Sequence, residues 1–548
     1  MKLSQNFEAD YVVVGGGTAG CIVAARLAED ADNQVVLVEA GPKDRSPLLH
    51  IPIGFSKLLH NQNMTWGYKT TAQANLNGRC ISWPRGKVLG GCSSINGMVW
   101  VRGNDLDFNE WARLTKDSGW SWSEVQYYFK KLEAASGCED DRLGRSGQIP
   151  LTVTKVRNKS VEAFIAAGEQ QGLTLRTGMA ISDQTGVGYY LTTTKNGRRV
   201  SSARAFLWNS GGKKNLTVLT NTRVSKVLFD DSNVAVAVCA HRGGNTFKLQ
   251  SRRGIVLTAG AINSPHLLML SGIGQSEQLK RQGIAVRWNS REVGRNLRDH
   301  LGVRVITRIK PSITVNNDFK RPWRLLKYGL QYAISRTGPL SMGGAYAGAF
   351  FSTGASRRPS MQIHFLPLSM KGEGWDFHRF AAVTANVCQL RPESVGDVSL
   401  ETGDYRDAPR IDPNYLLSPA DQTAMVAGVR FVRNLFQSPA FTGPMEPKEL
   451  APGTAVQKDE DILEFIRENS STVFHPVGTC RMGSDAVSVV TPEGRVRGTQ
   501  RLWIADASIM PTIPSGNTNA ATAVIAERVS DFIREKKASN GGHHGAMG

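Results

Sequence analysis

The chain has little of what marks secreted, metal-binding or membrane-spanning proteins. Its 548 residues include seven cysteines, an odd number without a CxxC pair or a metal-ligand spacing, so we expect reduced thiols and no metal site. The N-terminus lacks an apolar segment followed by a small-residue cleavage site, which makes a cytoplasmic location the default expectation. Two uncharged runs, 337–356 and 507–526, have the length of a membrane span, but Gly, Pro, Ser, Thr or Asn interrupts each, and we expect no transmembrane helix.

Acidic residues are also scarce relative to basic ones. The chain has 66 Lys and Arg against 47 Asp and Glu, a formal net charge of +19 at pH 7. The basic residues are dispersed in pairs such as Arg198-Arg199, with no nucleic-acid module around them, so we expect no nucleic-acid partner. The excess fits peripheral association with an anionic membrane surface or attraction to an acidic redox partner; simple solubility is the other explanation.

The clearest pattern lies near the N-terminus and predicts a dinucleotide-binding unit. It runs strand, helix, strand over residues 11–14, 19–29 and 34–38. In the GxGxxG turn, Gly15 permits the tight bend, Gly17 lets a pyrophosphate approach the backbone, and Gly20 lets helix and strand pack closely. Glu39 ends the second strand, where a carboxylate can hydrogen-bond the ribose of an adenine dinucleotide. The motif alone does not choose between NAD and FAD.

Later segments predict how the chain is organised. Residues 254–259 form a β-branched apolar run that we expect to return to the same sheet, and Ser264 with Pro265 predicts an N-cap and first turn for a helix over 266–270. The middle of the chain has fewer glycine-rich turns and several alternating apolar segments, which indicates a separate substrate domain. No internal repeat or long linker is evident, so the domains are expected to interleave.

Five further motifs, in order, resemble signatures of the glucose-methanol-choline (GMC) oxidoreductase family. They are GKVLGGCSSINGM at 86–98, GAINSPHLLMLSGIG at 260–274, VGRNLRDH at 293–300, HPVGTCRMG at 475–483 and GNTN at 516–519. The resemblance implies an α/β fold, with a Rossmann-like FAD-binding domain interleaved with an α+β substrate-binding domain. We expect the FAD domain mainly in 1–302, with part of the substrate domain inserted near 155–200, the substrate domain in 303–459, a return to the FAD domain in 460–537, and a disordered tail at 538–548.

The resemblance also implies FAD in an extended conformation, with its ring at the junction of the two domains. Asn96, Gly97 and Met98 are expected nearest the ring, and Asp506 near the ribityl chain. The full set of expected cofactor contacts is Gly15, Gly17, Thr18, Ala19, Gly20, Glu39, Ala40, Arg85, Val88, Gly90, Gly91, Ser93, Asn96, Gly97, Met98, Val99, Val224, Ala259, Gly260, Asp506, Ala507, Asn517 and Thr518. Some relatives attach FAD through a histidine where this chain has Ile95, so we predict FAD held non-covalently.

Alcohol oxidation needs a base for the hydroxyl proton, and the resemblance assigns that role to His475, whose imidazole can accept a proton near neutral pH. Asn519 matches a position where relatives carry a second histidine or an asparagine. Its amide can hold the alcohol oxygen or cap the helix predicted over 520–535. Phe474 is expected to face the substrate, and the residues around 364–368, Phe365 and Pro367 among them, to form another wall; core packing is the alternative for each.

The expected activity is FAD-dependent oxidation of an aliphatic or aryl primary alcohol to the aldehyde, by hydride transfer to flavin N5. No aromatic cage or dedicated carboxylate for a quaternary ammonium group is evident, yet choline stays an alternative because choline dehydrogenases are among the relatives. The electron acceptor is expected to be a quinone or another carrier, with O2 as the alternative. A hydroxynitrile lyase, which retains FAD without redox turnover, is the non-redox alternative.

Overall fold

A computed structural model describes residues 6–153, 157–179, 184–208, 213–310, 314–318, 321–354, 356–372 and 376–541. Its helices are α1 (Thr18–Leu27), α2 (Phe55–Leu58), α3 (Cys92–Ile95), α4 (Asp105–Thr115), α5 (Trp122–Leu132), α6 (Lys159–Gln170), α7 (Gly260–Leu270), α8 (Ser276–Arg281), α9 (Pro322–Ser335), α10 (Pro419–Gln437), α11 (Pro439–Met445), α12 (Asp459–Asn469) and α13 (Asn519–Gly541). Its strands are β1 (Asn6–Val14), β2 (Val35–Val38), β3 (Tyr68–Lys69), β4 (Ser82–Trp83), β5 (Val99–Trp100), β6 (Glu133–Ser136), β7 (Ile149–Val153), β8 (Gly186–Tyr189), β9 (Leu191–Thr192), β10 (Thr194–Lys195), β11 (Arg198–Arg199), β12 (Leu216–Leu219), β13 (Arg223–Phe229), β14 (Ala235–Arg242), β15 (Asn245–Leu257), β16 (Ile273–Gly274), β17 (Trp288–Asn289), β18 (Leu301–Arg308), β19 (Ala347–Phe351), β20 (Met361–Leu366), β21 (Ala382–Gln389), β22 (Asp397–Ser399), β23 (Arg410–Asp412), β24 (Lys448–Ala451), β25 (Ser471–Thr472) and β26 (Leu502–Ile504).

The first large sheet is the nucleotide-binding sheet that the sequence predicts. Its strands lie in the order β12-β2-β1-β15-β14-β13, and β26 pairs with the C-terminal half of β15. The strands β12, β2, β1, β15 and β26 run parallel, and β14 with β13 continue the sheet antiparallel. Every residue of β2 is buried, as a parallel strand covered on both faces requires. The predicted return of 254–259 to this sheet is confirmed.

Helices α1 and α13 pack together on this sheet, although 501 positions separate Arg26 from Glu527. The Arg26 guanidinium lies 2.7 Å from the Glu527 carboxylate, and Lys131 of α5 lies 2.9 Å from it. Glu527 is fully buried, so these cations and their hydrogen bonds compensate a charge that would be costly alone. The last helix thereby closes over the first. It continues to Gly541, past the predicted start of the disordered tail at Ala538; residues 542–548 lie outside the described residues.

The second large sheet is antiparallel and carries the wall opposite the nucleotide turn. Its order is β24-β18-β21-β20-β19-β8, with β25 also pairing β18. Strand β8 lies in the insertion expected near 155–200, and β25 lies in the segment expected to return to the first domain. The antiparallel pairing of Leu301 with Thr472 brings the residue before β18, His300, close to the residues that follow β25. This pairing builds the centre of the site.

Helix α7 differs from the prediction, because it begins at Gly260 and therefore contains Ser264 and Pro265 in its interior. A proline inside a helix leaves the carbonyl four residues earlier without its usual donor. Here that carbonyl belongs to Ala261, and the Thr479 hydroxyl donates to it at 2.6 Å. The helix thus tolerates Pro265 because a distant side chain satisfies the freed oxygen.

Candidate active site

A cavity of about 610 Å3 extends from the turn after β1 to His475, between the two sheets. Most of the residues predicted to contact the cofactor line it. These are Gly15, Gly17, Thr18, Ala19, Glu39, Ala40, Arg85, Gly91, Asn96, Gly97, Met98, Val99, Val224, Ala259, Gly260, Asp506, Ala507, Asn517 and Thr518, and the predicted His475, Asn519 and Phe474 line it as well. The remaining predicted residues, Gly20, Val88, Gly90, Ser93, Phe365 and Pro367, do not.

The nucleotide end is built from backbone. Gly15 adopts φ +109°, and a Cβ at Gly20 would lie 1.8 Å from the Gly15 carbonyl oxygen, so only glycine allows α1 to start this close to β1. The N-cap residue of α1, Gly17, has no side-chain cap, which leaves the amide groups of the first turn directed at the cavity. An anionic group is favoured at this position.

Glu39 closes the same end. Its carboxylate accepts hydrogen bonds from the N–H groups of Gly16 at 2.8 Å and Gly41 at 2.7 Å. Burial raises its pKa to about 7, although these two N–H groups act in the opposite direction. Each oxygen keeps a second acceptor site, so the carboxylate can also accept from a ligand hydroxyl.

The loop that precedes and includes α3 lies on the turn of α1. A Cβ at Gly91 would lie 2.6 Å from the Gly17 Cα, so the two glycine segments meet with no room for a side chain. Gly90 instead donates its N–H to the Gly16 carbonyl at 2.7 Å. The Ser93 hydroxyl donates to the Gly90 carbonyl at 2.6 Å and accepts from the Ser202 N–H. Gly90 and Ser93 therefore hold the loop rather than line the cavity.

Two other predicted contacts belong to the packing behind this wall. Val88 is fully buried in a small apolar cluster with Leu49, Leu58 and Ile95. Gly20 lies beneath the turn, where its role is the close helix–strand packing described above. Neither residue lines the cavity, so a direct cofactor contact of Gly20 or Val88 stays a prediction.

Asp506 fixes the opposite side of the cavity. Its carboxylate accepts from the Gly260 N–H at 2.8 Å, the Ser264 hydroxyl at 2.6 Å and the Ser508 N–H at 2.8 Å. Burial raises its pKa, against the effect of these three donors. A Cβ built on Gly260 would meet nothing within 4 Å, so this glycine borders open space. Asp506 thus holds the start of α7 as part of the cavity wall.

His475 lies at the other end, against a second buried histidine. Its Nδ1 is 3.0 Å from Nδ1 of His300, and Nε2 of His300 is 2.9 Å from the Leu390 carbonyl oxygen. A carbonyl can only accept, so the proton of neutral His300 lies on Nε2 and its Nδ1 is an acceptor. His475 must then carry its own proton on Nδ1. The network therefore leaves Nε2 of His475 without a proton, so that its lone pair can accept a hydrogen bond.

Asn517 faces that lone pair. Its Nδ2 lies 3.1 Å from Nε2 of His475, and its Oδ1 accepts from Nε2 of Gln362 at 3.3 Å. The same Gln362 nitrogen donates to the Tyr190 hydroxyl at 3.0 Å, which donates in turn to the Ile363 carbonyl at 2.9 Å. Because the Ile363 carbonyl can only accept, the Tyr190 hydroxyl donates to it and accepts from Gln362. Gln362 therefore presents its amide nitrogen to Oδ1 of Asn517, and Nδ2 of Asn517 is directed toward His475.

The expected partner of His475, Asn519, is not brought to it. Asn519 is the first residue of α13, and its Oδ1 accepts from the Thr18 hydroxyl at 2.8 Å. The side chain therefore joins the N-termini of α1 and α13. The amide beside the base belongs to Asn517, two positions earlier, which had been expected only as a cofactor contact.

The segment expected to form a second wall, 364–368, contributes alternate residues to the cavity. Successive side chains of a strand point to opposite faces. Phe365 is fully buried and stacks on Phe164 with ring centroids 4.4 Å apart, whereas His364 and Leu366 line the cavity. Pro367 is likewise buried outside the cavity.

The turn that carries His475 is fixed from two sides. Phe474 has φ +69°, a region that is costly for a bulky side chain, and the Arg85 guanidinium donates twice to its carbonyl, at 3.1 Å each. Asp299, in the VGRNLRDH segment, accepts from the His475 N–H at 2.7 Å and from the Thr472 hydroxyl at 2.5 Å. The bonds from Arg85 and to Asp299 hold the backbone of Phe474 and His475 in this strained conformation, and they thereby fix the direction of the His475 imidazole.

The electrostatics of this end favour neutral imidazoles. Burial lowers the pKa of His475 well below its ordinary value, and His300, His364 and Arg85 nearby add to the effect. Burial also lowers the pKa of His300 to about 3 and that of His364 to about 4. His475 is therefore in the proton-accepting form at neutral pH.

Sequence reasoning missed His300, Gln362 and Tyr190, whereas His364 lies in the segment 364–368 that was expected to form a wall. The VGRNLRDH segment was recognised, but nothing in the spacing between His300 and His475 indicates that their rings meet. Gln362 and His364 alternate with apolar residues in β20, a pattern that marks one face as polar and was the available signal. Among the described residues, no group of three or more His, Cys, Asp or Glu is arranged to hold a metal ion.

The fold and the cavity together define a dinucleotide-binding enzyme whose substrate end presents a neutral histidine as proton acceptor. The chain belongs to the GMC oxidoreductase family, whose N-terminal and C-terminal regions match residues 9–302 and 392–526. It is an FAD-dependent oxidoreductase that acts on CH–OH donors. FAD is the cofactor typical of this family.

Relatives match over nearly the whole chain. Alcohol dehydrogenase [acceptor] of Pseudomonas putida is 38% identical over 530 residues, covering 96% of each chain. Mitochondrial choline dehydrogenase of Homo sapiens is 36% identical, covering 97% of this chain and 90% of the relative. The crystal structure of pyridoxine 4-oxidase from Mesorbium loti superimposes with a TM-score of 0.86 at 29% identity, covering 96% of this chain and 99% of the other.

The residues present fit FAD. The uncapped first turn of α1 suits a pyrophosphate, Glu39 keeps acceptor sites for hydroxyl groups, and Gly260 leaves space where a side chain would intrude. The first turn of α13 also borders the cavity, since Asn519 and Thr522 line it. The cavity is thus continuous from a nucleotide site to a base.

Proposed function

We propose that the protein oxidises a neutral primary alcohol, aliphatic or aryl, to the aldehyde, with His475 as the base. The observation that carries the proposal is the lone pair on Nε2 of His475, directed at the cavity by the contact with His300. A substrate hydroxyl beside it would donate its proton to Nε2 and accept a hydrogen bond from Nδ2 of Asn517. FAD, when bound, supplies the hydride acceptor at N5, so the alcohol loses one proton and one hydride.

The cavity around His475 supports a neutral, partly apolar substrate. Apolar side chains of Leu366, Leu368, Met370 and Phe474 line it together with the polar Thr384 and Asn386. The two buried carboxylates of the lining, Glu39 and Asp506, already accept backbone hydrogen bonds, and Glu468 lies exposed at the surface. A quaternary ammonium group would therefore find no buried carboxylate committed to it, which makes choline the second candidate despite the relative of that name.

We further propose that FAD is held non-covalently. The residue at the attachment position of some relatives is Ile95, which is buried and has no nucleophilic atom. The nearby Cys92 does have a nucleophilic atom and lines the cavity, but its sulfur already accepts a hydrogen bond from the Gly86 N–H at 3.4 Å. Acid precipitation should leave the flavin in the supernatant; a yellow pellet would contradict this.

For the electron acceptor we propose a quinone or another carrier rather than O2. The support is the 38% identity to a dehydrogenase named for a separate acceptor. Stoichiometric hydrogen peroxide formed with the aldehyde in air would reverse this assignment.

The test is anaerobic reduction of the bound flavin, followed by its absorbance, with aliphatic, aryl, amino and polyol alcohols. We expect bleaching by the first two classes and slow or no bleaching by choline. In His475→Ala the rate should fall by about 10²- to 10⁴-fold with flavin still bound. His60→Ala, at the exposed rim of the cavity, is the matched control and should reduce normally. Unchanged reduction of His475→Ala would refute the base assignment, and no bleaching by any alcohol would favour a non-redox reaction.

A further inference from the structure

Helix α9 carries a row of large apolar side chains that faces away from the fold. The row, called here the apolar stripe, consists of Trp323, Leu326, Leu330 and Ile334, exposed by 59%, 66%, 55% and 84%. Their spacing of three, four and four residues places them on one side of the helix. Tyr332, on the opposite side, is buried, and its hydroxyl donates to the Gly197 carbonyl at 3.0 Å. Single exposed apolar residues are ordinary, but a contiguous row of four indicates a binding surface.

The charges beside the apolar stripe are positive. Lys327 lies on α9, and Arg321 and Arg336 flank its two ends. Arg324 pairs with Asp318, which precedes the helix. From 319 to 372 the sequence contains no Asp or Glu. This surface therefore combines an apolar row with an excess of basic residues, and the whole chain carries a net charge of +19.

The position of α9 relates it to the cavity. The 3-10 turn Pro339–Ser341 that follows α9 packs on the turn Pro52–Gly54, and α2, which lines the cavity through Phe55 and Ser56, comes directly after that turn. Gly344 also lines the cavity and donates its N–H to the Gly97 carbonyl at 2.8 Å. A surface in contact with α9 would therefore lie beside the wall that α2 and Gly344 form.

We propose that α9 docks this protein on an anionic lipid bilayer, with the apolar stripe at the boundary of headgroups and acyl chains and the basic residues on lipid phosphates. An amphipathic helix with Trp and Leu on one face and Lys or Arg beside them lies in the plane of such an interface. α9 has 14 residues, and no helix among those described is long and apolar enough to cross a membrane. The proposal does not depend on which alcohol the enzyme oxidises.

A second copy of the chain fits this surface less well. An isologous contact through α9 would bring the basic residues around this helix in one protomer near those of the other, between two protomers of net charge +19 each. One 14-residue helix with four apolar side chains also offers less than the roughly 800 Å2 per partner of a stable protein interface. A bilayer needs neither shape complementarity nor an opposing negative protein surface.

The experiment is flotation of the FAD-loaded full chain with vesicles of phosphatidylglycerol and phosphatidylcholine in equal amounts. The variant W323Q/L326Q/L330Q/I334Q replaces the apolar stripe by a residue of high helix propensity. We expect its partition onto these vesicles to fall by about tenfold or more, with flavin content and the rate of flavin reduction by alcohol unchanged. The single variants Arg321→Gln and Lys327→Gln should each lower partition onto these vesicles by about fivefold and make this partition less sensitive to salt.

The matched control is L175Q/L417Q, which removes two apolar side chains of similar exposure, 54% and 55%, that lie outside α9. It should float like the wild type, and vesicles of phosphatidylcholine alone should bind the wild type more weakly. The proposal would be overturned if the wild type did not float, or if the stripe variant floated equally well. It would also be overturned if the wild type were a dimer and the stripe variant a monomer that binds vesicles as strongly as the wild type.

Discussion

The two ends of the cavity are built in different ways. The nucleotide end is formed mainly by backbone atoms, because glycines let the α1 turn, the α3 loop and the start of α7 approach one another. At the His475 end, side chains from the residue before β18, from β20, from the segment before α13 and from the turn after β25 meet in one hydrogen-bond network. The first end holds a charged ligand of fixed shape, and the second sets the protonation state of one imidazole. A change at the first should remove the cofactor, whereas a change at the second should leave it bound and slow the reaction.

The largest effect is expected where the two glycine segments meet. In Gly91→Ala the new Cβ would lie 2.6 Å from the Gly17 Cα, so the loop must move off the turn. We expect a protein purified without flavin and without activity, measured as the flavin-to-protein absorbance ratio. Gly78→Ala is the control, since Gly78 shares a positive φ but a Cβ there meets nothing within 4 Å. Full flavin content in Gly91→Ala would refute the expectation that changes at the nucleotide end, unlike changes at the His475 end, remove the cofactor.

A smaller but still large effect is expected from His300, a positioning residue that does not line the cavity. In His300→Leu, the Nδ1 proton of His475 loses its acceptor, and the neutral ring can instead place its proton on Nε2. Flavin reduction should slow by about 100-fold with flavin retained, because most of the general-base contribution is lost. His300→Gln, which restores an acceptor oxygen, should recover most of the rate. Equal rates in the Leu and Gln variants would show that His300 serves packing alone.

The paired asparagines of α13 and its preceding segment give the next contrast. Asn517→Ala removes the donor beside Nε2 of His475 and should slow flavin reduction by about 10-fold. Asn519→Ala loses only the contact with the Thr18 hydroxyl, and we expect less than about a threefold change in rate with a stability loss of about 1 kcal/mol. Stopped-flow reduction and thermal unfolding measure the two effects. A larger rate loss in Asn519→Ala than in Asn517→Ala would restore the assignment made from the sequence.

The smallest effect is expected from pH. The base must be neutral, and burial holds the pKa of His475 well below its usual value of about 6.5. Activity should therefore be lost as the pH falls through that lowered pKa, and the reduction rate should change by less than about twofold between pH 8 and pH 6.5. The pH profile of flavin reduction measures this. If the rate of flavin reduction already began to fall above about pH 7 as the pH was lowered, His475 would not be desolvated in the working enzyme.

Part of the site could be predicted because its motifs are local. The Gly15 to Gly20 turn and Glu39 belong to one strand–helix–strand unit, where sequence spacing is also spatial spacing. The family resemblance added His475, the FAD-binding loop and the interleaved fold. Two differences have different causes. Alternation along β20 places His364 rather than Phe365 at the cavity, which is a local effect, whereas helix α7 begins earlier because the distant Thr479 satisfies the carbonyl that Pro265 leaves free.

The amino-acid sequence by itself thus determined the nucleotide turn, because glycine conformations and strand periodicity act over a few residues. The resemblance of its motifs to the GMC family added the fold class and the proposal of His475 as the base. Only the tertiary structure decided the tautomer of His475, the choice of Asn517 over Asn519 as its neighbour, and the outward direction of the apolar stripe. Each of these depends on contacts or burial between elements far apart in the chain, such as Leu390 with His300 or Gly197 with Tyr332. No spacing along the sequence encodes such contacts directly, since packing of the two sheets and their helices brings those atoms together.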